Sequence, residues 1–238
     1  MLSDEAVWGP QVEAFAGEAQ VQVARYGQAR TLAAMAQALL DQAPPRFALA
    51  AHSLGGPRRH GGRALGARTA DGPVPDQRRH PAQAHRRGWR GGDPGPLRSS
   101  GLARDQGMDA LAERFTPVLL HPDRMTDPAL VQTVMAMVAR QTADKMEREI
   151  EAGEGRPDHA EALRALKVPA LLICGVEDSF GRGPLQAAMA ALLPGAPTLL
   201  IERCGHLPML ETPSAVNKAM HDWFARVRDT FRAPAAIC

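Results

Sequence analysis

Three residues of this chain have the types and surroundings that acyl transfer requires: Ser53 in "AHSLG", Asp178 in "CGVED" and His206 in "RCGHLPMLETP". A serine hydroxyl is a weak nucleophile at neutral pH, so it needs a histidine to take its proton and an acid to orient that histidine. Small residues two before and two after a serine, here Ala51 and Gly55, suit a sharp strand-to-helix turn that lifts the hydroxyl clear of a sheet. Each reading has a competitor. "AHSLG" could be a glycine-rich turn after a strand. Glu177 stands beside Asp178 as a second candidate acid, which would leave Asp178 to cap the next turn. His206 could be a loop histidine bonded to a backbone carbonyl, and His52 reads as lining the serine turn without catalysing. Cys174 and Cys204 read as small buried hydrophobes, and no Cys or His spacing suits a metal such as zinc.

The elements that must position these residues follow from periodicity. After Asp4, Trp8, Val12 and Phe15 fall at helical spacing; Val21 and Val23 alternate with Gln as a short strand; Thr31 opens a helix that Pro44 and Pro45 stop. "RFALA" then reads as a strand leading into the serine turn. From Asp105 to about Leu166 the pattern is helical, with Leu130, Val134, Met137 and Val138 on one face and Met125, Met135, Met137 and Met146 available to pack it. Val168 to Cys174 and Thr198 to Ile201 read as strands, separated by a helix from about Pro184 to Leu193. A last helix turns Val216, Met220, Trp223 and Phe224 inward. Strands alternating with helices predict a parallel sheet covered on both faces. Ser53, Asp178 and His206 each follow a strand, so all three converge on the edge where open α/β sheets place their sites.

Composition bounds the class. The chain has 238 residues, 23% charged, 45% hydrophobic and 4% aromatic, which suits a soluble domain and excludes collagen, coiled coil or a disulfide scaffold. Three cysteines fit reduced thiols, the start "MLSDEAVWGP" lacks the basic and apolar runs of a signal peptide, and no apolar stretch would span a membrane. The expectation is a cytoplasmic protein. Its formal charge of +2 is unevenly spread: residues 57 to 101 hold 10 Arg against 3 Asp, a balance of +7, with 9 Gly and 6 Pro. As written, that window has too little apolar surface to order itself.

The motifs together resemble the α/β-hydrolase superfamily, specifically its small bacterial esterase-like serine hydrolases. Asp4 and Trp8 match an Asp-x-x-x-Trp near the family's start, the acid lies in a "GxxD" and the histidine in a "CGHxPxxExP", and the order Ser, Asp, His is that of the family. The resemblance covers residues 1 to 56 and 102 to 230. It implies an α/β fold with a mostly parallel sheet flanked by helices and a helical cap. The implied segments are a hydrolase core in residues 1–56 and 167–238, an anomalous window in 57–101 and a cap in 102–166. It also implies a carboxylic ester or lactone as small-molecule substrate, no cofactor, and no nucleic-acid or membrane partner. Ser53 would be nucleophile, His206 general base and acid, Asp178 its orienter, and the backbone N–H of Leu54 an oxyanion donor. The same triad also serves C–C hydrolases, enol-lactonases and cofactor-free haloperoxidases.

Two departures accompany the resemblance. The chain begins where the family has passed its His-Gly turn, so only Met1 or Leu2 could stand near the second oxyanion donor, and the sheet is expected to be incomplete. The basic window occupies the place of the helix behind the nucleophile and the next central strand. We read it as compatible with a shifted reading frame. Pro57 to Gly62 can be encoded CCG CGT CGC CAT GGA GGT, which one base later reads Arg-Val-Ala-Met-Glu-Val, an amphipathic helix start. "GPVPDQRRHP" can be encoded so that one base later it reads Ala-Arg-Phe-Leu-Ile-Ser-Gly-Val-Ile, an apolar strand. The nucleotide sequence decides this. The competing readings are an Arg/Gly-rich nucleic-acid-binding insertion, against which counts that Trp89 is its one aromatic and leaves it without stacking platforms, and a catalytically inactive or defective member of the fold.

Overall fold

The computed structural model describes residues 2–53, 64–69, 96–155, 158–181 and 184–232. At its start the Asp4 carboxylate accepts the Ala6 N–H at 3.0 Å and caps a 3₁₀ turn, Glu5–Trp8, that continues into α1, Gly9–Phe15. Val7, Gln11 and Phe15 are the residues this pair buries. The strand expected around Val21 and Val23 does not form: residues 19–26 have no regular structure and Val21 is exposed. Alternation alone does not make a strand; among the described residues no neighbour offers it a hydrogen-bond ladder. Helix α2, Leu32–Gln42, opens on the Thr31 hydroxyl, which accepts the Ala34 N–H at 3.1 Å, and it ends before the two prolines as expected.

Four strands form one sheet in the order β1 (Arg46–Ala50), β2 (Ala64–Thr69), β3 (Ala170–Gly175), β4 (Thr198–Ile201). β1, β3 and β4 run in one direction and β2 runs against them. β2 lies inside the basic window, which was expected not to order itself. Its backbone is paired on both sides, with Arg46–Ala50 and with Ala170–Leu172, so ladder bonds stand in for the missing apolar surface. The rest of the window up to residue 95 lies outside the described residues.

β3 shows why the sheet holds together. All six of its residues are buried, and successive side chains serve opposite faces: Leu171 and Ile173 join the main core, while Ala170 and Leu172 pack with Met189, Leu192 and Leu193. Between β2 and β3 the described chain is helical: α3 (Pro96–Leu119, bent at Gly107), α4 (Pro128–Ala139), α5 (Ala143–Glu154) and α6 (Ala160–Arg164). Val134, Met137 and Val138 are the buried face of α4, as their spacing predicted. Helices α3, α4 and α5 share one core with the C-terminal half: Leu111, Val134 and Met146 belong to the same buried cluster as Leu171, Ile173 and Trp223. Helices α7 (Pro184–Leu192), α8 (Pro208–Glu211) and α9 (Pro213–Arg232) complete the chain, and Val216, Met220 and Trp223 of α9 face that core. Among the described residues no helix is long and apolar enough to cross a membrane.

Candidate active site

Ser53 follows β1 with φ at 55°, in the left-handed region that a non-glycine residue occupies only when its surroundings enforce it. Its Oγ lies 3.1 Å from His206 Nε2, and His206 Nδ1 lies 2.8 Å from Asp178 Oδ1. The geometry assigns the protons. An ionised Asp178 only accepts, so Nδ1 carries the hydrogen, and Nε2 is left to accept the Ser53 hydroxyl proton. Asp178 and His206 are 5% and 8% exposed, which keeps water from competing for the bond between them.

The two neighbouring acids are told apart by where they point. Asp178 meets the imidazole, and the same oxygen also accepts the Phe180 N–H at 2.8 Å, so it both orients the histidine and caps its own turn. Glu177 instead accepts the Cys204 N–H at 3.2 Å and braces the histidine loop against the end of β3. Close approach of those two segments depends on Gly175 and Gly205. A Cβ on Gly175 would lie 2.2 Å from the carbonyl oxygens of Cys204 and Gly205; one on Gly205 would lie 2.7 Å from the His121 nitrogen. Cys174 and Cys204 are both buried.

The His206 ring is flanked by Phe180, with centroids 4.5 Å apart, and by His52 at 4.9 Å. His52 Nε2 also sits 3.0 Å from the His206 carbonyl oxygen, to which it donates, so the residue before Ser53 touches the backbone of His206. Sequence reasoning missed Glu211. It is 4% exposed and its carboxylate accepts backbone N–H groups from Gly205, Leu207 and His121. The signal available was its place five residues after His206, in the "CGHLPMLETP" run.

Leu54 lies outside the described residues. Leu2, the other expected oxyanion donor, is corrected by its own hydrogen bond: it is buried, and its N–H donates at 3.0 Å to the Glu149 carboxylate. An amide already committed to a buried carboxylate is not available to a developing oxyanion. Met137 and Met146 are buried in the core, whereas Met125 and Met135 line an open groove of about 630 Å³ between α3 and α4. Among the described residues no three His, Cys, Asp or Glu side chains cluster as metal ligands would.

A serine in a left-handed turn just past β1, hydrogen-bonded through a histidine to a buried aspartate just past β3, has the geometry of a serine triad. Residues 6–219 match the model of the alpha/beta hydrolase family, and the chain belongs to that family. Solved structures similar to it include a thermophilic esterase from Thermogutta terrifontis, 26% identical over 56% of this chain and 49% of that one, with a TM-score of 0.49. An enol-lactonase from Burkholderia xenovorans is 22% identical over 54% and 49%, also at 0.49. A bromoperoxidase from Bacillus anthracis is 14% identical over 56% and 49%, at 0.47. The chain thus spans about half the length of each of these structures. No curated protein sequence matches it.

Proposed function

We propose that this protein is a serine hydrolase that cleaves a carboxylic ester or lactone through an acyl-enzyme. The observation that carries the reading is the unbroken hydrogen-bonded relay Ser53–His206–Asp178, at 3.1 and 2.8 Å, with Ser53 in a left-handed turn. In the first step Ser53 Oγ attacks the carbonyl carbon as its proton passes to His206 Nε2, and the carbonyl oxygen takes the negative charge. Asp178 stabilises the imidazolium that forms and keeps its Nδ1–H aimed inward. The tetrahedral species collapses, and His206 returns the proton to the departing alkoxide, leaving Ser53 acylated. Water then attacks the acyl group with His206 again as base, which releases the acid and restores the serine. The Leu54 N–H, first in the helix expected after the nucleophile, is the donor we assign to the oxyanion.

Labelling of the purified chain with a fluorophosphonate tests the reading. Such a probe phosphonylates an activated serine and ignores an ordinary one, so we expect label on Ser53 and none on the Ser53→Ala variant. Absence of label on the intact chain, with the fold preserved by circular dichroism, overturns the activity while leaving family membership untouched.

A further inference from the structure

We propose that Glu211 is a positioning residue for His206, holding the backbone on both sides of the base and fastening it to the end of α3; the inference rests on the serine-hydrolase reading above. A carboxylate that is 4% exposed is costly to bury unless its lone pairs are met, and among the described residues no Lys or Arg pairs with it. Backbone amides meet it instead. Oε2 accepts the N–H of Gly205 at 2.9 Å and of His121 at 2.8 Å, and Oε1 accepts the N–H of Leu207 at 3.0 Å.

The placement of these bonds is what points to the base. Gly205 and Leu207 flank His206, and the His206 N–H itself donates to the Leu119 carbonyl at 2.7 Å. Three consecutive amides are therefore committed, two to Glu211 and one to the last turn of α3. With the backbone held there, Asp178 at Nδ1 has only the side-chain torsions left to settle. His121 and Leu119 bring the helical segment into the same support, and the tight fit of Gly205 against both leaves the loop little room to drift. No atom of Glu211 bonds the serine or the imidazole, so its effect passes through the position of His206.

A glutamate is specifically needed. Both carboxylate oxygens accept, so a glutamine in either flip turns its NH₂ toward a backbone N–H and loses at least one bond. Aspartate falls one methylene short. Displacing a catalytic group by about 1 Å costs on the order of 10²-fold in rate.

The test uses the full chain, its Glu211→Gln and Glu211→Asp variants, a fluorophosphonate and p-nitrophenyl acetate. Expected are a fall of roughly 10²-fold in labelling rate and in kcat for Glu211→Gln with KM little changed, alongside far-UV circular dichroism like that of the parent chain. Amide exchange supplies a readout that needs no variant. Peptides covering 204–208 of the unmodified chain should exchange slowly although they lie in a loop, and Glu211→Gln should speed them at least tenfold. Fast exchange in the unmodified chain, or a folded Glu211→Gln variant within about threefold of parent kcat and labelling rate, overturns the proposal. If the unmodified chain takes no label, the serine-hydrolase reading falls, and the exchange measurement alone decides whether Glu211 holds the histidine loop.

Discussion

Replacing Gly175 with alanine is the most direct way to ask whether the site depends on the close approach of β3 to the histidine loop. The added Cβ would start 2.2 Å from two carbonyl oxygens, those of Cys204 and Gly205, which are backbone atoms with no side-chain torsion to relieve them. Reaching an ordinary contact requires a separation of about 1 Å between the strand end and the loop. Overpacking of this kind costs about 3 kcal/mol when backbone must move, which for a chain of this size lowers Tm by roughly 6–12 °C. The same displacement acts on the chemistry. Asp178 follows the strand and His206 rides on the loop, so a 2.8 Å hydrogen bond would open toward 3.8 Å, beyond any useful one. Loss of that bond and of imidazole alignment should lower the fluorophosphonate labelling rate by about 10²-fold or more. The control is Gly17→Ala, because a Cβ there meets nothing within 4 Å. Thermal melting monitored by circular dichroism, with labelling rates measured well below Tm, reads both effects. A Gly175→Ala variant that melts and labels like the parent chain would refute the close-approach argument.

Other expectations follow from single features. Ser53→Gly removes the side chain from a residue at φ 55° and should raise stability to denaturant by about 1 kcal/mol while abolishing labelling; unchanged or lowered stability would show that the turn is unstrained. Asp178→Asn allows the imidazole to turn its Nε2–H toward Ser53, and should cut turnover by about 10⁴ with the fold intact, measured by steady-state hydrolysis of an activated ester. Tyr26, the sole tyrosine, is 37% exposed, and partial desolvation, then the Glu149 carboxylate, raise its phenol above the ordinary value. Its ultraviolet titration should therefore have a midpoint above that seen in denaturant. Its contribution to stability should be complete below pH 10 and lost as pH rises through the folded midpoint.

The parts of the molecule that sequence reading reached are those governed by local rules. The bounds Thr198 to Ile201 and the inward face of the last helix appear where periodicity put them, and the strand expected from Val168 to Cys174 forms as Ala170–Gly175, because each is an apolar pattern with a clear period. Ser53, Asp178 and His206 come together because each ends or follows a strand, and strand ends share an edge. What escaped depends on partners far away in sequence. Val21 and Val23 have a strand pattern without a neighbour to pair with among the described residues, while Ala64–Thr69 has a poor strand pattern and two neighbours. Leu2 was assigned to the oxyanion by chain position, and Glu149, 147 residues away, claims its amide. Glu211 stands in sequence as the acid of the "CGHLPMLETP" run, and its use is visible only once Gly205, Leu207 and His121 converge on it.

The main core, which runs from Leu111 and Val134 through Leu171 to Trp223, bears on how such a protein can be re-engineered. A lid that packs only on itself can be exchanged between relatives like a cassette, with specificity changing and the catalytic half left alone. Here the helices that precede β3 supply one wall of the compartment that β3 and α9 close, and Leu119 and His121 reach the backbone of the histidine loop. A chimera carrying a foreign helical segment would open that compartment and release the loop together. The helical segment of this chain is therefore better altered by point substitution than by transplanting it whole.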